Sequence, residues 1–174
     1  MLIETIIYSR GGQGGVTTAK IIATSAMLQG LFSQAIPQFG PERRGATVKT
    51  YLRISDKPIR RRSSVKDPDV VVVFDKKIEV EKLARVAVLN SKESIQIAEK
   101  TFYVDASSIA EKFGLVNAGW AILSAPMSGA IAKALEIDIR TLEEAIKMEL
   151  GEKAEKSCSA AKEAYEVTKW ISSP

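Results

Sequence analysis

Short apolar runs alternate along this chain with stretches of helical period, the layout of an α/β protein. Leu2-Ile3 and Ile6-Ile7-Tyr8 form the first run, a buried strand. Behind it Val16, Ala19, Ile22, Ala23, Ala26 and Met27 recur near a 3.6-residue period, which predicts a helix over 15–29 ended by Gly30 in a left-handed conformation. Leu31 to Ile36 predicts a second strand, stopped by Pro37. From Ala46 to Ile54 the period becomes two. Ala46, Val48, Thr50, Leu52 and Ile54 then share one side, and Thr47, Lys49, Tyr51 and Arg53 the other, as in a half-exposed strand. Asp56-Lys57-Pro58 reads as a turn, with 59–65 returning as the antiparallel partner. The β-branched run Val70 to Phe74 predicts a strand buried on both faces.

Further on, a short helix is expected over 76–83, a strand over 85–89 and a last strand over 101–104. Asp105-Ala106-Ser107-Ser108 caps a helix over 109–113, while 94–99 shows no decisive period. The small apolar stretch 117–135 is interrupted near Pro126. Asp138 or Thr141 then caps a helix carrying Ile139, Leu142, Ile146 and Leu150 on one face, and Gly151 ends it. A final amphipathic helix spans 152–170, with Ala154, Cys158, Ala161 and Tyr165 inward. There is no internal repeat or domain boundary. The expected fold is α/β: a single Rossmann-like domain over 1–174 with a mainly parallel sheet, an antiparallel hairpin insertion and C-terminal helices.

Composition narrows the chemistry. The 174 residues suffice for one well-buried domain. No apolar stretch approaches the roughly 20 residues of a membrane span, and the start lacks the layout of a signal peptide, so a cytoplasmic protein is expected. With no histidine in the chain, a Ser-His relay, a His base and a His-ligated metal are all excluded. Cys158 is the only cysteine, which excludes an internal disulfide and a Cys₄ iron–sulfur site. The net charge of +4 is uneven: residues 43–66 hold nine Lys and Arg against Asp56 alone, or +8, leaving about −4 elsewhere. That segment suits an anion or an acidic partner; equally, a charged face keeps a sheet edge from aggregating.

Candidate chemistry concentrates at Gly11-Gly12-Gln13-Gly14-Gly15, between the first strand and the first helix. Such a turn directs backbone N–H groups out of a helix N-terminus. No Gly-Lys-Ser/Thr follows, so it is not a triphosphate loop. Thr17 stands where a dinucleotide fingerprint needs a third Gly or Ala, and no ribose-reading acid lies about 20 residues on. The glycines serve either a ligand or simply a tight turn with close helix packing. Asp75, at the carboxyl end of a strand where open α/β sheets place ligands, reads as a ligand group or as a helix N-cap.

Four motifs in order carry a resemblance: the strand with Gly11-Gly12-Gln13-Gly14, then Phe39-Gly-Pro-Glu-Arg-Arg-Gly45, then Arg53-Ile-Ser-Asp-Lys-Pro-Ile-Arg60, then Pro68-Asp-Val-Val-Val-Val-Phe-Asp75. Together they resemble the gamma subunits of 2-oxoacid:ferredoxin oxidoreductases, pyruvate synthase in particular, from Ile3 to about Gly151. The resemblance implies an assembled enzyme that converts a 2-oxoacid, coenzyme A and oxidised ferredoxin to acyl-CoA, CO₂ and reduced ferredoxin. Thiamine diphosphate, Mg²⁺ and iron–sulfur clusters would reside in alpha, beta and delta subunits, with no cofactor in this chain and no activity when it is isolated. Gly11, Gly12, Gln13 and Gly14 would face the other subunits. Glu42, Arg43, Arg44 and Gly45 would form a charged loop at the interface or on the coenzyme A side. The doubled arginine leans toward pyruvate; 2-oxoglutarate, 2-oxoisovalerate and indolepyruvate homologues are the alternatives.

Two other functions fit less well. A stand-alone nucleotide-binding protein needs a ribose reader and a catalytic acid or base, and neither is present. A nucleic-acid binder would interleave aromatics with its charges, and only Tyr51 does so in the basic segment. Neither nucleic acid nor membrane is an expected partner. Self-association of the isolated chain, through surfaces made for its partners, stays open.

Overall fold

The structure, a computed structural model, describes residues 1–38 and 45–174. β1 (Leu2–Arg10) leads through the glycine turn into α1 (Gly15–Leu28), then β2 (Phe32–Gln38) and β3 (Thr47–Ser55). β4 (Val70–Val73), β5 (Val86–Asn90) and β6 (Lys100–Val104) follow, then α2 (Ala106–Lys112) and a small hairpin of β7 (Val116–Asn117) and β8 (Trp120–Ala121). α3 (Ser124–Ala134), α4 (Ile139–Leu150), a 3₁₀ turn over Gly151–Lys153, α5 (Ala154–Val167) and β9 (Lys169–Ser172) complete the chain.

The main sheet runs β2-β3-β1-β4-β5-β6-β9. β1, β4, β5 and β6 are parallel; β3 and β2 join antiparallel at one side and β9 at the other. The Rossmann-like α/β fold with C-terminal helices is therefore borne out. The antiparallel hairpin has different partners from those expected. β3 pairs with β1 along one edge and β2 along the other, so residues 59–65 find neither edge of β3 free and run as coil. The outer face of β3 is covered by coil at Tyr51 and Arg53, which are both buried rather than half-exposed. Pro37 does not stop β2, because β2 is an edge strand and needs ladder bonds on one side only.

Helices cover one face of the sheet. Ile7, Leu52, Val72, Val88 and Phe102 meet Ala19, Ile22, Ala130, Ile131 and Ala161 in a single apolar cluster. The other face, built on Ile6, Tyr8, Tyr51, Val71, Val73 and Leu89, is covered by coil that contributes Val65 and Ile78. The expected helix over 76–83 is one of these coil segments. Asp75 does not cap a helix there: its Oδ1 accepts from the Lys77 N–H at 2.9 Å, and Ile78 folds down onto the sheet.

The C-terminal helices largely match their sequence signals. Asp105 caps α2 by accepting from the Ser108 N–H. Asp138, rather than Thr141, caps α4 by accepting from Arg140 and Thr141. Pro126 sits in the first turn of α3, where its missing N–H costs nothing. The final helix stops at Val167, before its expected end at 170, and β9 becomes an extra antiparallel strand on β6. There the Trp170 and Phe102 rings lie 6.0 Å apart. Of the stripe expected inside α5, Ala154 and Ala161 are buried and Cys158 is half-buried.

Candidate functional site

At the carboxyl end of β1 the chain must turn immediately into α1, and Gly12 and Gly14 take φ of 92° and 93° to do so. Packing leaves no room for larger residues behind that turn. A Cβ on Gly14 would lie 2.9 Å from Ser124 Cβ, and one on Gly15 would lie 2.2 Å from Ser9 Oγ. Two glycines thus bring the start of α1 against β1 and against the start of α3. The Thr18 hydroxyl, donating to the Ser124 carbonyl at 3.1 Å, fixes the second contact. Gly14 and Gly15 are explained by the tight turn and close packing that sequence reading kept open beside a ligand role.

Gln13 faces inward. Its Oε1 accepts from the Arg10 N–H at 2.7 Å, and its carbonyl accepts from Leu123 N–H at 2.9 Å. The turn is therefore closed from within by its own side chain and tied to the segment leading into α3. Gly11 reaches across to β3: its N–H donates to the Ala46 carbonyl at 2.8 Å, and its carbonyl accepts from the Gly45 N–H at 3.2 Å.

Arg10 adds a side-chain link. Its Nε donates to Asp75 Oδ2 at 2.9 Å and its Nη1 to the Gly45 carbonyl at 3.2 Å. Partial burial would raise the Asp75 carboxyl, but the Lys77 N–H and the Arg10 guanidinium together outweigh it, and its pKa lies below the ordinary value. Trp120 borders the same spot, for a Cβ on Gly45 would lie 3.8 Å from its ring. Val116 and Trp120, both about 42% exposed, present an apolar corner beside this rim.

Among the predicted site residues, Gly11, Gln13 and Gly45 thus come together, with Gly12 and Gly14 shaping the turn. Glu42, Arg43 and Arg44 lie outside the described residues. Asp75 joins the group through Arg10. Sequence reading missed Arg10 and Trp120 as members. Arg10 is the last residue of β1, next to the glycines, and that adjacency was the available signal; nothing local to Trp120 marks its position.

The rim offers hydrogen-bonding and ionic groups, and among the described residues no cluster of three His, Cys, Asp or Glu side chains is placed to hold a metal. Sequence comparison supplies what the geometry leaves open. Residues 4–167 match the model of the pyruvate ferredoxin/flavodoxin oxidoreductase family. The chain belongs to that family. The chain is 42% identical to the "pyruvate/ketoisovalerate oxidoreductases common subunit gamma" of Pyrococcus furiosus, across 96% of its own length and 97% of that protein's. It is 40% identical to the "pyruvate synthase subunit PorC" of Methanothermobacter thermautotrophicus, across 95% of each. The crystal structure of the pyruvate oxidoreductase subunit PORC of Thermotoga maritima superposes with a TM-score of 0.79 over 97% of this chain and 98% of that one, at 24% identity. That likeness speaks for the fold.

Family membership thus bears out the resemblance carried by the four motifs, and the fold explains their order. Through their described residues all four reach β1, the second by Gly45 alone. The glycine motif ends it, the Gly45 stem bonds to Gly11, and Arg53 and Asp75 hold its two halves through Glu4 and Arg10. Asp69 completes the set by accepting from the Glu4 N–H at 2.8 Å. Among the described residues, no helix is long and apolar enough to cross a membrane.

Proposed function

We propose that this chain is the gamma-type subunit of a multi-subunit 2-oxoacid:ferredoxin oxidoreductase that uses pyruvate. The assembled enzyme would convert pyruvate, coenzyme A and oxidised ferredoxin to acetyl-CoA, CO₂ and reduced ferredoxin. The observation that carries this is the end-to-end match with family members named as gamma and PorC subunits. The residue inventory agrees with a supporting role, because a chain without histidine and with one half-buried cysteine has few groups for carbanion or electron-transfer chemistry. Thiamine diphosphate, Mg²⁺ and the iron–sulfur clusters belong, in this reading, to companion alpha, beta and delta subunits, and no step of the chemistry is assigned to residues of this one. The name of the Pyrococcus furiosus relative describes a subunit common to two oxidoreductases. A shared subunit does not choose between 2-oxoacids, so substrate choice is placed in the companions here as well.

The contribution of this chain is the rim around Gly11, Gln13 and Gly45, set beside the companions in the cytoplasm. Arg43 and Arg44 immediately precede, in sequence, the Gly45 that Arg10 and Gly11 hold. They are assigned to the phosphates of coenzyme A or to acidic side chains of a neighbouring subunit, since guanidinium groups hold both bidentately and keep their charge. Affinity purification of the tagged chain from native extract tests the reading. The expected result is co-purification of larger subunits and pyruvate- and coenzyme A-dependent reduction of viologen by the complex, with none by the chain alone. Arg43→Ala with Arg44→Ala should raise the coenzyme A KM or reduce subunit content. Turnover by the solitary chain, or its recovery without companions, would refute it.

A further inference from the structure

The basic segment that looks continuous in sequence is split by the fold, and its second half forms a built surface. On the coil-covered face, Gln34, Arg53 and Glu4 stand side by side in register across β2, β3 and β1. Arg53, 1% exposed, donates to Glu4 Oε2 at 2.8 Å, to Gln34 Oε1 at 3.0 Å and to the Ser63 carbonyl at 2.7 Å. Gln34 Nε2 donates to the Arg61 carbonyl at 2.7 Å. Two side chains of the sheet, Arg53 and Gln34, therefore grip two carbonyls of a coil segment while Glu4 holds Arg53, and Val65, 3% exposed, anchors its far end in the core.

The consequence is directional. With the backbone at 61 and 63 held inward, the side chains of Arg60, Arg61 and Arg62 are left exposed. Residues 57–66 carry five cations and no carboxylate. Arg61 approaches Glu4 at 3.7 Å, but Arg60 and Arg62 make no ion pair among the described residues. The buried Arg53–Glu4 pair gains little net stability over apolar packing, because desolvation offsets its attraction. The polar trio instead sets where three guanidinium groups point.

Beside this ridge lies an exposed apolar patch. In the next row on the same face, Phe32 and Leu2 flank Ser55 and are 45% and 42% exposed. Large apolar groups beside a rim of arginine are the make-up of a protein–protein interface rather than of a solvated face. Nucleic acid fits less well, because Tyr51, the aromatic within the basic segment, is buried and bonded to Gln38 at 3.0 Å.

We infer that the Arg60–Arg61–Arg62 ridge with Phe32 and Leu2 is a docking surface for a companion subunit that presents an apolar centre edged by carboxylates. This rests on the gamma-subunit reading above and adds a second contact, at the opposite end of the β2–β3 ribbon from the Gly45 rim.

The test co-expresses this chain with the other subunits encoded by its source and measures its retention in the purified complex at about 50 and 300 mM salt. Size-exclusion chromatography and mass photometry provide the readout. The variants are Arg60→Glu/Arg61→Glu/Arg62→Glu together, Phe32→Asp alone, and Arg140→Glu/Lys147→Glu/Lys162→Glu on α4 and α5 as a charge-matched control; thermal melts of each isolated chain verify folding. Expected is at least tenfold weaker retention for the ridge and Phe32 variants with unchanged melts, a wild-type complex that loosens with salt, and a control like wild type. Ridge and Phe32 variants that assemble as wild type overturn the inference and leave the gamma-subunit reading intact. So does loss confined to nucleic-acid binding in a gel shift. Failure of the wild-type chain to enter any complex removes the gamma-subunit reading, and this inference with it.

Discussion

Toward the helices the sheet presents Ile7, Leu52, Val72, Val88 and Phe102, and small residues such as Ala130, Gly129 and Ala161 let the helices come close. Toward the coil the same strands present Glu4, Arg53, Tyr8 and Lys49 among their apolar residues, each tied or adjacent to a non-helical segment. The first face is largely apolar and close-packed, so it sets stability. The second encloses charge, which gains little net stability but fixes positions. The difference teaches where to look for contacts with other molecules: on the face where the chain has accepted a less favourable interior in return for geometry.

The largest effect that could break this comparison lies in the coil face. Arg53→Ala leaves Glu4, the Gln34 Oε1 and the Ser63 carbonyl without their partner and should cost about 3–5 kcal/mol, read by denaturant unfolding. Glu4→Leu with Gln34→Leu and Arg53→Met should cost clearly less, because no charge is left unpaired and only the Arg61 and Ser63 carbonyls lose their donors. If the triple variant unfolds as readily as Arg53→Ala, the network is a stability element and the contrast between the faces fails.

Gly129→Ala probes the helix face. The new methyl would sit 2.1 Å from the Ala161 carbonyl oxygen, a backbone atom, so α3 and α5 must separate. A loss of about 2–3 kcal/mol is expected, visible as a lower melting temperature. A neutral result would mean that the helix layer is looser than its packing implies.

Asp75→Asn is smaller and depends on pH. Because the folded-state pKa of Asp75 is depressed below 3.8, its ionised form adds stability above that value, and the contribution is lost as pH falls through the folded pKa. The variant should be about 1 kcal/mol less stable at pH 7, with the gap closing below about pH 4. A gap that persists at low pH would assign the effect to packing rather than to the Arg10 pair. The smallest change is a gain: the Thr50 hydroxyl is buried without a hydrogen-bond partner among the described residues, and Thr50→Val should stabilise by about 0.5–1 kcal/mol in the same melts.

Much of this architecture was legible in the pattern of residues. β1, α1, β4, β5 and the caps Asp105 and Asp138 follow from periodicity and local chemistry, which depend on a few adjacent residues. The failures share a cause. Pro37 reads as a stop until β2 is known to be an edge, and 59–65 reads as a strand until both edges of β3 are seen to be taken. Lys169 and Trp170 read as the end of a helix until β6 offers them an open edge. In the candidate site the glycine turn was evident, whereas its tie to Gly45 through Arg10 was not, since those residues are 35 positions apart.

The sequence by itself determined the family, the α/β class and the poverty of catalytic groups, because motifs, hydrophobic period and residue inventory are properties of the linear chain. Only the tertiary structure decided which charges are free to meet a partner. Arg53 and Arg60 belong to one basic run, yet one is sealed in the sheet and the other stands in solvent. Burial is settled by which strands find edges to pair with and what then covers them, and that outcome is a property of contacts between distant residues.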